Sequence, residues 1–140
     1  MSTEENKAIV RRFFEAFEAN DRDTLKAIPA AEIVVYLPGN DEPVNRDAFL
    51  DIIQGWEAAF SDLHFEIEHL IAERDMVATH VILSGVHSDG DFLDIPPSGR
   101  PFAVTVMTLE RIAESQIVER RVVFNLLDLM HQLGATTILQ

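Results

Sequence analysis

Apolar residues recur at two different spacings along this chain, and the change from one to the other divides it. Ile9, Val10, Phe13, Phe14 and Phe17 fall at helical intervals and predict an amphipathic helix running to Ala19. Ser2 and Glu5 stand at capping-box spacing at its start. The stretch "NDRDTLKAIPA" predicts a break, a short helix over Thr24 to Ala27 and a stop at Pro29. "EIVVYL" predicts a strand, ended by the turn-forming "PGND". Asn45 is placed to cap a third helix, whose Phe49, Ile52, Ile53, Trp56 and Phe60 form one apolar stripe.

From Asp62 onward the period becomes two. Leu63, Phe65, Ile67, His69 and Ile71 alternate with mostly polar neighbours, as a half-buried strand does. "MVATHVILSGVH", "PFAVTVMTLERI" and "QIVERRVVF" predict three further strands. The last of them runs into "RRVVFNLLDLMHQLG". Alternation there places Arg121, Val123 and Asn125 on one face and Phe124 on the other, after which Leu126, Leu127, Met130 and Leu133 take up helical spacing. Three or four helices followed by a meander of antiparallel strands is an α+β layout. One face of such a sheet rests on the helices, and its curvature leaves room for a pocket between them.

Composition narrows the function classes. A chain of 140 residues, 47% hydrophobic and 25% charged, is expected to form a single globular domain over residues 1–140. No apolar run approaches the roughly 20 residues needed to span a bilayer, and "MSTEENK" lacks the pattern of a signal peptide. A cytoplasmic protein without membrane contact is expected. The absence of cysteine removes disulfides, thiolate nucleophiles and thiolate metal sites. A formal charge of −13 repels phosphate backbones, so nucleic acid is not an expected partner. His87, Asp89, Asp91 and Asp94 cluster in and after "HSDGD", but no metal-ligand motif is complete and no metal is expected.

Two segments carry a resemblance. "GVHSDGDFLDIPPSGRPF" resembles the segment G-T-H-x-G-x-F-x-G-x-P-P-T-G-R of SnoaL-like polyketide cyclases, with Gly85, His87, Phe92, Pro96, Pro97, Gly99 and Arg100 matching. Val86, Asp94 and Ser98 depart from it. "IVERRVVFNLLDLMHQLG" resembles that family's I-V-E-x-W-x-x-x-D-x-x-x-L-x-x-Q-L-G, with Ile117, Val118, Glu119, Gln132, Leu133 and Gly134 matching. The resemblance implies the NTF2-like (cystatin-like) cone, a curved antiparallel sheet packed on about three helices. It also implies cofactor-free aldol cyclisation of a hydrophobic, carbonyl-rich small molecule. Arg121 stands where the family has tryptophan, and Asn125 where it has the aspartate that acts as acid/base.

An amide neither gains nor loses a proton near neutral pH, so Asn125 is expected to stabilise a developing enolate oxygen rather than move a proton. His80, mid-strand and titrating in the useful range, is the candidate substitute acid/base; its bland alternative is a hydrogen-bonded structural histidine. Arg121, Tyr36, Trp56, Phe17 and Glu119 are the candidate ligand-binding residues, with Glu119 expected to pair with Arg121. Phe13, Phe17, Trp56 and Phe60 are equally readable as core. Two alternatives stand beside a cyclase or isomerase: a non-catalytic binding or dimerisation module, and epoxide-hydrolase-like water addition, which needs a carboxylate–arginine–carboxylate set. A homodimer is expected, because sheets of this family pair and Val104, Val106 and Val122 read as exposed apolar alternates.

Overall fold

The computed structural model describes residues 2–135. Four helices and five strands follow in the order α1 (Thr3–Ala19), α2 (Arg22–Ala27), β1 (Pro29–Tyr36), α3 (Arg46–Ala59), β2 (Ser61–Glu73), β3 (Met76–Val86), β4 (Pro101–Ala113), β5 (Gln116–Val123) and α4 (Leu126–Gln132). The helix starts follow their capping residues. Ser2 and Glu5 exchange side chain-to-backbone bonds at 2.9 and 3.0 Å, Asp21 caps α2, and Asn45 accepts from the Ala48 N–H at 2.9 Å. Among the described residues no helix is long and apolar enough to cross a membrane.

The strands form one curved sheet in the order β1-β5-β4-β3-β2. Long neighbours pair antiparallel, but β1 joins β5 in parallel, so the sheet is mixed. β1 and β2 therefore occupy opposite edges, and α3, the link between them, crosses one whole face. α1 packs on the same face over β2 and β3. The core lies between these helices and the sheet, where Val10, Phe13, Phe14, Ile53, Val77, Val81, Val104, Val106 and Ile117 are all buried. Val104 and Val106 thus face inward, contrary to the exposed reading, because the period-two stripe of β4 turns toward the helices.

The register shifts at several points, and two β-bulges among them change which residues face the core. In β5, Ile112 pairs with Ile117 and Arg111 with Glu119, so Val118 is an extra residue opposed by none. In β2 a similar shift lies between Ile67 and His69. Each bulge reverses which residues face the core. Beyond them Arg120, Val122 and Phe124, and Leu70 and Ala72, are the more buried positions, while His69, Ile71 and Arg121 are exposed.

The connection from β3 to β4 is tied down along its length. Phe92 and Ile95 bridge through a tight turn in which Leu93 and Asp94 both take positive φ, the geometry of a two-residue hairpin turn. The Asp89 and Gly90 N–H groups donate to the Ala59 and Ala58 carbonyls, each at 3.1 Å, and so satisfy the end of α3. A side chain at Gly90 would sit 3.2 Å from the Ala58 oxygen, which explains glycine there. At the other end of the chain, the Gln132 amide bonds both the N–H and the C=O of Ala103, at 2.9 and 3.1 Å.

Candidate active site

The helix-covered face of the sheet holds a narrow apolar cavity that opens to solvent. Its walls come from α1 (Phe14, Phe17), the segment after β1 (Leu37), α3 (Phe49, Ile52, Ile53, Trp56), β2 (Phe65), β3 (Leu83), β4 (Val106) and β5 with its C-terminal extension (Arg120, Val122, Phe124). Among these lining residues Arg120 is the only charged one.

Sheet register explains how a charge comes to sit there. Arg120 on β5 is directly opposite Glu110 on β4, and both project to the inner face. Arg120 Nη1 donates to Glu110 Oε2 in a short ion pair, and Glu110 is wholly buried. The Thr108 hydroxyl donates to Glu110 Oε1 at 2.8 Å, and Thr108 in turn meets Thr79 at 2.5 Å across the β3–β4 pair. The guanidinium also lies over aromatic faces, its carbon 4.7 Å from the Phe13 ring centre and 5.3 Å from that of Phe14. Burial pushes the Glu110 carboxyl up, against the opposing pull of Arg120 and the Thr108 bond. Burial likewise lowers the Arg120 pKa, with Glu110 resisting. Arg120 Nε is buried with no hydrogen-bond partner. A spare donor therefore belongs to a residue that lines an apolar cavity.

Of the residues singled out from the sequence, Phe17 and Trp56 line this cavity. The others do not come together there. Arg121 lies on the opposite face, half-exposed, with its guanidinium carbon 3.9 Å from the Tyr36 ring centre. Glu119 pairs with Arg121 at 3.0 Å and also approaches Arg111 at 3.7 Å, in an ion cluster at the protein surface. His80 is on that outer face too, its Nδ1 at 3.0 Å from His69 Nδ1 and the two rings stacked. Asn125 is exposed and caps α4, accepting from the Asp128 N–H at 2.9 Å. The Val118 bulge is the reason: it carries Arg120 inward and turns Arg121 outward, so strict alternation from Ile117 assigns the wrong arginine. Asn125→Ala is accordingly expected to cost about 1 kcal/mol of stability through the lost cap. Ligand binding in the cavity should stay unchanged, which chemical denaturation and a Trp56 fluorescence titration would check together.

The profile of the SnoaL-like polyketide cyclases matches residues 7–133. The chain belongs to that family. Among solved structures it is similar to wild-type IdmH from Streptomyces antibioticus, described as a polyketide cyclase. The two are 30% identical with a TM-score of 0.82, covering 93% of this chain and 99% of that one. It is also similar to a protein of Jannaschia sp. CCS1 described as SnoaL-like, at 26% identity and a TM-score of 0.86, covering 96% and 94%. AclR from Streptomyces galilaeus, described as a hydroxylase, shares 25% identity with a TM-score of 0.86, covering 99% of this chain and 87% of that one. No curated protein sequence gives a significant match.

In this SnoaL-like chain the first quoted motif is scaffold rather than cavity lining, whereas the second supplies Arg120, Val122 and Phe124 to the wall. His87 is fully buried beside Phe60, with Nε2 at 2.7 Å from the Gly90 carbonyl, so the ring ties down the loop that caps α3. Phe92 packs on Trp56, their ring centres 4.7 Å apart. Among the described residues no three His, Asp or Glu side chains converge as metal ligands. Glu110 and Arg120 escaped the sequence reading, yet "PFAVTVMTLERIA" carries the signal for one of them: Glu110 continues the stripe of Phe102, Val104, Val106 and Thr108. A carboxylate in register with an apolar stripe is a buried carboxylate.

Proposed function

We propose that the cavity binds a hydrophobic small molecule carrying several carbonyl groups and promotes its cyclisation or isomerisation without a cofactor. The observation that carries this reading is Arg120, with spare N–H donors, as the one charged residue among those lining an otherwise apolar cavity. A carbonyl oxygen accepting such an N–H becomes more electrophilic, and the same donor stabilises the oxyanion that forms on attack. In an aldol closure the enol carbon bonds to the polarised carbonyl carbon, and the enol proton ends on the new alkoxide. No atom leaves and no redox partner is needed. The aromatic and aliphatic walls would hold the chain folded, which supplies the proximity the reaction needs.

None of the lining residues titrates near neutrality, and that favours one of two further readings. A 1,3-dicarbonyl is already partly enolic in water, so templating by the walls and one donor suffices for such a substrate. The alternative is a binding protein that performs no chemistry. Incubation with a 1,3,5-triketone decides between them, with chromatography for product and quenching of Trp56, the sole tryptophan, for binding. Cyclised product forming faster than in buffer supports the cyclase. Saturable quenching with no added rate leaves only the binder. Water addition by a carboxylate–arginine–carboxylate set gains no support, because the residues lining the cavity include no carboxylate.

We also propose a homodimer through the outer face of the sheet. Sheet register aligns Ile71, Ala78, Leu109, Arg121 and Tyr36 in one row and His69, His80, Met107 and Val123 in the next. Ile71, Met107 and Val123 are 64%, 52% and 66% exposed, a concentration of apolar surface that a second copy would cover. Light scattering at micromolar concentration should give twice the chain mass; a monomer would defeat the proposal.

A further inference from the structure

We infer that Glu110 sets ligand specificity by cancelling the charge of Arg120, so that the cavity accepts neutral carbonyl compounds and turns away carboxylates and phosphates. This rests on reading the cavity as a ligand site. An arginine in an apolar pocket would ordinarily advertise an anion site, since a guanidinium pairs readily with carboxylate or phosphate oxygens. Here that capacity is already committed. Glu110 is the cross-strand neighbour of Arg120, is fully buried, and accepts a hydrogen bond from its Nη1. Thr108 holds the second carboxylate oxygen at 2.8 Å, so Glu110 is fixed on both oxygens. Phe13, Phe14 and Phe49 surround the guanidinium face, 4.7, 5.3 and 6.0 Å from ring centre to its carbon.

What the pair offers a ligand is the remaining N–H groups of Arg120, the unpartnered Nε among them, on a group whose field is that of a dipole rather than a cation. A neutral carbonyl asks for no more than one donor. An incoming carboxylate would give up its hydration in an apolar cavity, find no net positive charge, and meet the buried Glu110 carboxylate behind the guanidinium. Removing the charge at position 110 while keeping its shape would reverse this. The site would carry one uncompensated positive charge in an apolar enclosure, where charge-assisted hydrogen bonds are strongest.

The test uses two probes of the same shape, neutral 2-acetylnaphthalene and anionic 2-naphthoate, each titrated against the full-length protein by Trp56 quenching at pH 7. The wild type is expected to bind the ketone and to bind naphthoate more weakly. Glu110→Gln is expected to tighten naphthoate by about tenfold or more while changing the ketone little. The double variant E110Q/R120M, with both charges gone, should lose that gain. Wild-type protein that bound naphthoate as tightly as the ketone would overturn the inference without any variant. So would an E110Q protein with an unchanged ratio, or a double variant that kept tight naphthoate binding. If neither probe quenches Trp56 in any folded protein, the cavity is not a ligand site, and the reading beneath this inference fails first.

Discussion

Glu110→Ala should destabilise the protein by about 3–5 kcal/mol, because it leaves the Arg120 guanidinium buried without its counter-charge. For a chain of this size that corresponds to a fall in melting temperature of about 10–15 °C, measurable by calorimetry. The cost comes from the orphaned partner rather than from the pair itself. Replacing both residues, as in the variant E110L/R120M, is therefore expected to recover most of the loss and to reach or exceed wild-type stability. A single variant as stable as wild type would show that water reaches the guanidinium and that the interior is not as dry as the burial of both groups implies.

Acid provides an independent handle on the same pair. Burial raises the Glu110 carboxyl above its ordinary value of 4.5. Between that value and the raised one, the folded protein keeps a proton that the unfolded chain has already released. Stability attributable to this group therefore falls as pH rises through the window above 4.5 and is regained as pH drops back through it. Many surface carboxylates titrate nearby, so the informative quantity is the difference in melting temperature between wild type and E110L/R120M as a function of pH. That difference should shift in favour of the double variant as pH rises through the window.

The second large effect concerns turnover. If Arg120 Nε stabilises the reacting oxygen, Arg120→Met should lower the rate of triketone cyclisation by about 10²–10³, the usual consequence of removing one preorganised oxyanion donor. Methionine matches much of the length and apolar stem of arginine, so the cavity wall is kept. It also orphans Glu110, and the comparison is therefore best made in E110Q/R120M, where no buried charge is left uncompensated. A double variant that retained wild-type turnover would remove Arg120 from the chemistry and return the cavity to a purely templating role.

Much of this architecture is legible in the sequence, and the exceptions share a cause. The stripes Ile9–Phe17 and Phe49–Phe60 identify α1 and α3, and the capping residues Ser2 and Asn45 mark where they begin. Helical periodicity tolerates small errors because neighbouring residues share a face. A strand does not. One added residue, Val118, moves the following side chains to the other face of the sheet, and no local composition announces it. Motif position assigns Asn125 to the pocket, alternation puts Arg121 on the same face, and His80 is a candidate from its place among apolar residues. Their outward positions follow from strand facing that a single sequence does not display. The parallel placement of β1 beside β5 is likewise a contact between distant segments, with no trace in the local pattern of either.

The bonds from Gln132 to Ala103 have a consequence for how the molecule behaves in company. β5 pairs only with Met107 and later residues of β4, so the earlier half of β4 presents an edge on that side. An open edge is a template on which another chain's strand can add. By offering an amide N–H and an amide oxygen to one residue of that edge, Gln132 imitates the strand that is missing, and α4 lies alongside it. The short C-terminal helix thus guards against sheet extension, and loosening it would first reveal itself as aggregation rather than as lost secondary structure.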